Sequence, residues 1–97
     1  MKKFALIVKQ TIQAGYYTEM KEFMIDIAKK VRAEKGCLQF DLVQDLNNKN
    51  IFIVYEVWES KEFWGEHLQT AHINEFNLKV QECVEKMEVN TASFIED

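Results

Sequence analysis

Apolar side chains alternate through Phe4, Leu6, Val8 and Ile12, while Ala5 and Ile7 make the opposite side apolar at first. This pattern predicts a strand covered on both faces. After Gly15 the period changes. Met20, Phe23, Met24, Ile27 and Val31 recur at spacings of three and four, which predicts an amphipathic helix. It is capped by Thr18 or the residues just before it and closed at Lys35-Gly36. Alternation returns from Cys37 to Val43, with Leu38, Phe40 and Leu42 on one face. The turn-forming run Asp45-Leu46-Asn47-Asn48-Lys49-Asn50 then leads to a third strand, Ile51 to Trp58, so these two strands form an antiparallel hairpin. Phe52, Val54, Glu56 and Trp58 share one face of it, and Ile51, Ile53, Tyr55 and Val57 the other.

Ser60 is a natural helix N-cap, with Glu62 in the first turn. The helix through Phe63, Trp64, His67 and Leu68 breaks near Gln69-Thr70, where Thr70 caps a second segment. In that segment Ile73, Phe76, Val80, Cys83, Val84 and Met87 repeat at three and four, so the helix is expected to end near Met87. Val89, Thr91, Ser93 and Ile95 then predict a closing strand from Val89 to Ile95.

Strand, helix, strand, strand, helix, strand is the ferredoxin-like α+β plan, βαββαβ with a four-stranded antiparallel sheet, over one domain spanning residues 1–97. With both helices on one face of the sheet, the other face stays apolar and uncovered. A second copy is expected to cover it, giving a homodimer.

Composition narrows the function. The chain is 47% hydrophobic and 29% charged, as in ordinary globular proteins. No apolar run approaches the roughly 20 residues of a membrane helix, and Phe4 to Val8 is too short for a signal-peptide core. The net charge of −4 argues against nucleic acid, and Lys29, Lys30 and Arg32 read as a solvated helix face. Cys37 and Cys83 lack CxxC spacing and suit a reducing, cytoplasmic setting as small buried side chains.

Reactive groups concentrate at the end of the third strand and in the helix after it. Glu56 alternates with Phe52, Val54 and Trp58, so its carboxylate is expected to be partly buried and to need a partner. It is either a structural acceptor or the orienter of a catalytic imidazole. His67 lies four after Phe63 and three after Trp64, at the end of an apolar pocket, and serves either as a satisfied core group or as a base. His72 follows the cap at Thr70 and is expected to be more exposed. The five-residue spacing of the two histidines, with a helix break between them, differs from the four that places two on one face, so no metal is expected. Phe40, Phe52, Tyr55, Trp58, Phe63, Trp64 and Phe76 are core, and some of them line a flat apolar cavity for an aromatic ligand.

Glu34-Lys35-Gly36-Cys37-Leu38, Phe40, Phe52, Tyr55-Glu56-Val57-Trp58-Glu59-Ser60, His67-Leu68-Gln69-Thr70-Ala71-His72 and Phe76 together resemble the antibiotic biosynthesis monooxygenase (ABM) domain family over essentially the whole chain. The resemblance implies a dimeric α/β barrel in which Glu56, Trp58 and His67, then His72, are pocket-side positions. It further implies a cofactor-free oxidation by O₂ of a small quinol-like or phenolic aromatic. His67 is then base or hydrogen-bond partner, Glu56 its orienter, and Trp58, Phe40, Phe52, Trp64 and His72 substrate-binding. Ala71 stands where many relatives carry proline. The first strand lacks the asparagine of the haem-degrading branch. Leu38-Gln39-Phe40-Asp41-Leu42-Val43-Gln44-Asp45 is also similar to the branch that isomerises a phosphorylated sugar, for which Lys9 or Lys35 would meet the phosphate. A non-catalytic dimeric ligand-binding module is the third alternative.

Overall fold

The computed structural model describes residues 2–96. Its elements in chain order are β1 (Phe4–Ile12), α1 (Tyr17–Arg32), β2 (Cys37–Gln44), β3 (Ile51–Trp58), α2 (Lys61–His67), α3 (Ala71–Cys83) and β4 (Val84–Ser93). The four strands form one sheet in the order β2-β3-β1-β4, with every neighbouring pair antiparallel. This is the ferredoxin-like arrangement expected from the hydrophobic pattern, with the second helical region in two pieces.

Register decides which side chains meet. Phe4, Leu6, Val8 and Gln10 stand opposite Trp58, Glu56, Val54 and Phe52, so all eight face the same way. All eight are buried, and the apolar ones join Met20, Met24, Ile27, Ala28 and Val31 of α1 in the core. The reverse face carries Ile7, Ile53 and Tyr55, partly buried, beside the exposed Val43.

Several boundaries differ from the sequence expectation. The last helix stops at Cys83 rather than near Met87, and β4 starts at Val84 rather than Val89. The cause is β1: its nine residues present a row of backbone groups, and Gln10, Thr11 and Ile12 take Met87, Lys86 and Val84 as partners, with an irregularity at Thr11/Ile12. Backbone pairing outweighs the helical spacing of Val84 and Met87 there. Ser93 ends the strand, which leaves Ile95 beyond it and exposed. The cap of α1 is Tyr16, one of the residues just before Thr18, and it makes no side-chain hydrogen bond. Ser60 and Thr70 do cap α2 and α3, each hydroxyl accepting the amide three residues on.

Gly36 does not close α1, which ends four residues earlier at Arg32. It has φ +88°, and its carbonyl accepts the Glu59 amide at 2.8 Å, so it ties the segment after α1 to the end of β3. A Cβ at this position would run into the Phe63 side chain of α2. Gly36→Ala therefore combines a left-handed backbone with a clash. It is expected to cost about 1–3 kcal/mol of stability in urea unfolding, against a near-neutral effect for Gly65→Ala, where a Cβ meets nothing.

Candidate functional site

Between the inner face of the sheet and the helices lies a cavity of about 190 Å³. Val8, Val54, Met24, Ile27, Val31, Phe40 and Trp64 make most of its wall apolar, while Gln10, Glu56 and His67 bring polar groups to it. Leu68 and Asn77 from the helical side and Met87 and Val89 from β4 also line it, and all four are exposed. The cavity thus opens at the β4 edge of the sheet. It is smaller than the ~300–1,000 Å³ typical of pockets for drug-sized ligands, and suits a molecule of one or two rings.

His67, the last residue of α2, is held by Glu34, which lies between α1 and β2. Its Nδ1 is 2.6 Å from Glu34 Oε2. The same oxygen is 2.7 Å from His72 Nε2 in the first turn of α3. An ionised carboxylate only accepts, so Nδ1 of His67 and Nε2 of His72 each carry the proton. With Nδ1 protonated, the other nitrogen of a neutral His67 ring has its lone pair free. Burial pushes the His67 pKa below its ordinary value of 6.5, against an upward pull from the Glu34 hydrogen bond and charge. The imidazole is therefore neutral, oriented and able to take a proton.

Glu56 sits across the sheet from Leu6 and is 7% exposed. Burial raises its pKa, opposed by the indole N–H of Trp58, which donates to Oε1 at 2.9 Å, while the nearby Glu34 charge adds to the rise. One cavity thus meets a histidine biased toward its neutral form and a carboxyl group biased toward keeping its proton. Opposite biases of this kind mark groups fit for proton transfer.

Of the residues picked out from sequence, His67, Glu56, Phe40 and Trp64 line the cavity. Trp58, Phe52 and His72 do not. Trp58 is fully buried, bonded to Glu56 and packed on the His67 ring at 4.6 Å between centroids, so it backs the two groups from behind. Phe52 shares their face of the sheet but lies under Tyr17, edge to face at 5.7 Å, at the end that the start of α1 covers. His72 bears on the site through Glu34 and through its proximity to the His67 ring, 6.2 Å between centroids. The expected orienter is corrected: the carboxylate on His67 is Glu34, and Glu56 is bonded to Trp58. Gln10 had no part in the sequence expectation, and Glu34 entered it only within the family pattern, without a role of its own.

Glu34, His67 and His72 offer three ligand atoms within 4.8 Å of one another, a nitrogen and carboxylate set of the type zinc takes. Binding there requires both imidazole protons facing Glu34 to leave. Burial raises the pKa of both thiols, Cys37 and Cys83, with neighbouring carboxylates adding to the rise, which disfavours nucleophilic thiolate chemistry. No lysine or arginine lines the cavity among the described residues. Lys9 faces the opposite side of the sheet, and Lys35 lies over the Phe63 ring. No helix among the described residues is long and apolar enough to cross a membrane.

The model of the antibiotic biosynthesis monooxygenase family matches residues 4–78. The chain is 28% identical over 80 residues to the N-terminal EF-hand calcium-binding protein 1 of Mus musculus, covering 79% of this chain and 22% of that one. It therefore spans about a fifth of the length of that curated relative. A candidate monooxygenase of Bacillus subtilis, YcnE, is 35% identical over 53 residues, 55% of this chain and 56% of that one. Among solved structures, PA3566 from Pseudomonas aeruginosa superposes with a TM-score of 0.93 at 23% identity, over 99% of this chain and 97% of the other. A candidate antibiotic biosynthesis monooxygenase from Nitrosomonas europaea gives 0.90 at 18% identity, over 96% and 90%. At these identities the two superpositions speak for the fold alone.

The Glu34 carboxylate pulls the His67 pKa upward, so Glu34→Gln is expected to lower it further, read as a titration midpoint at lower pH when histidine chemical shifts are followed by NMR. Because the folded pKa lies below the unfolded one, the unfolded chain binds the proton first as pH falls. The stabilising contribution is complete above about 6.5 and is lost on acidification below it. Replacing His67 with Gln is expected to flatten that part of the stability curve in thermal melts between pH 7.5 and 5.

Proposed function

The chain belongs to the antibiotic biosynthesis monooxygenase family, and from this premise we propose that it is a cofactor-independent monooxygenase acting on a small quinol or phenolic aromatic. The observation that carries the reading is His67: a desolvated imidazole with its Nδ1 anchored on Glu34, at an apolar cavity of about 190 Å³. The apolar wall takes a flat ring and leaves its hydroxyl to the polar groups. His67 removes the hydroxyl proton, and the indole of Trp58 holds the imidazole from behind. Desolvation makes the resulting anion a better electron donor. One electron passes to O₂, and the radical pair joins at a ring carbon. Quinol and O₂ together give a hydroxyquinone and water, one oxygen atom entering the ring and the other leaving. Glu56, biased toward keeping its proton, is placed to supply the proton that the departing oxygen needs. The absence of a cation along the described wall favours this reading over isomerisation of a phosphorylated metabolite.

Uptake of O₂ by the protein with a panel of reduced quinones and polyphenols is expected to exceed autoxidation. His67→Ala is expected to lower the rate by about 10²–10⁴, the usual contribution of a general base. Glu34→Gln is expected to have a smaller effect, confined mainly to kcat. A wild-type rate equal to the blank over the whole panel would remove the reading.

The same reading includes a homodimer built on the reverse face of the sheet, where Ile7, Ile53, Tyr55 and Val43 form an apolar field between charged neighbours such as Lys9 and Glu88. A soluble chain gains by covering such a field. Light scattering is expected to give twice the chain mass, and Ile53→Asp the mass of one chain.

A further inference from the structure

Gln10 stands out among the buried polar groups. It is 0% exposed, and both its Nε2 and its Oε1 lack a hydrogen-bond partner among the described residues. A buried amide without partners is costly, and native proteins rarely keep one without a use. Its surroundings say what the use is. Gln10 lies on the inner face of β1 and lines the same cavity as His67 and Glu56.

Along β1, Leu6 is opposite Glu56 and Gln10 opposite Phe52 and Met87. The levels of Glu56 and Gln10 on the sheet are therefore four residues apart, about 13 Å at ~3.3 Å per residue. The side chains at both levels project to the same face, and between them the wall is made by Val8 and Val54. The cavity is thus polar at two ends and apolar between. Allowing a hydrogen bond of about 3 Å at each end, the two polar atoms of a fitting molecule are about 7 Å apart, the separation across a fused two-ring system.

We propose that Gln10 is the specificity-determining contact for a second oxygen on the ligand, so that the cavity selects aromatics carrying oxygen at both ends of a fused two-ring body. The amide suits either redox form: its Oε1 accepts from a hydroxyl, and its Nε2–H donates to a carbonyl. A diol and the ketone into which it is oxidised can therefore both be held at this end while the other end changes. The inference rests on the reading of the cavity as the ligand site, and its test needs no turnover.

The test is anaerobic calorimetric titration with naphthalene-2,6-diol, 2-naphthol and naphthalene, which carry two, one and no oxygen atoms. Wild type is expected to bind the diol about tenfold more tightly than 2-naphthol, the worth of one good buried hydrogen bond. In Gln10→Met, close in shape and without the amide, that preference is expected to vanish while the affinity for 2-naphthol is kept. The free variant is also expected to melt several degrees higher than wild type, because an unpartnered amide has left the core. Gln10→Leu provides a second apolar replacement with the same expectation. A preference equally strong in both variants would overturn the role of Gln10 and leave the oxygenase reading standing, as would equal binding of diol and 2-naphthol by wild type. Failure of all three probes to bind wild type would overturn the role of Gln10, and the oxygenase reading would stand or fall on the O₂-uptake panel.

Discussion

One carboxylate oxygen organises the site. Glu34 Oε2 accepts from His67 at the end of α2 and from His72 at the start of α3, and the segment bearing Glu34 links α1 to β2. Two imidazoles five residues apart on an unbroken helix would point about 140° away from each other. They converge here only because the helix breaks between them. Thr70 makes that break stable: its hydroxyl accepts the Ile73 amide and donates to the His67 carbonyl, satisfying groups at the start of one helix and the end of the other. Gly36 supplies the second condition, since only a residue without a Cβ lets the segment carrying Glu34 lie against Phe63.

The electrostatics follow from this arrangement. A buried imidazole would ordinarily be an indifferent group, because desolvation leaves it neutral but says nothing about which nitrogen carries the proton. The Glu34 hydrogen bond settles the tautomer, and the same carboxylate adds to the rise in the pKa of Glu56 through space. Glu34 thus acts on both candidate proton carriers without lining the cavity. Trp58 acts on both as well, donating its indole N–H to Glu56 while its ring packs on His67. These two residues make one unit of His67 and Glu56. Substitutions within that unit are expected to be non-additive.

How much of this could be read in the sequence depended on whether each feature was local. Alternation and capping are local, so β1, β2, β3, the hairpin between the latter two, and the break at Thr70 were legible. The start of β4 was not, because Val84 and Met87 continue the helical spacing of Val80 and Cys83, and the deciding factor was the unmet backbone of a distant β1. Phe40 and Trp64 line the cavity, whereas Phe52, on the same face as Glu56, does not. Alternation tells which face a side chain shares, but where a helix crosses that face depends on packing across the molecule. Glu34 escaped for the same reason. Its partners lie 33 and 38 residues away, a pairing that no periodicity records.

The two faces of the sheet carry different groups, and under the proposed function this separates chemistry from assembly. His67, Glu34, Glu56, Trp58 and Gln10 all come from one chain and meet on the helix side. The apolar residues that favour pairing with a second copy, Ile7, Ile53, Tyr55 and Val43, point the other way. Since successive residues of a strand face opposite sides, β3 contributes Glu56 to one task and Tyr55 to the other. A substitution on the reverse face can therefore weaken association while leaving every hydrogen bond of the site in place. Under the proposed function, its effect on turnover is then confined to the stability of the sheet that both faces share, and raising protein concentration restores a weakened association by mass action.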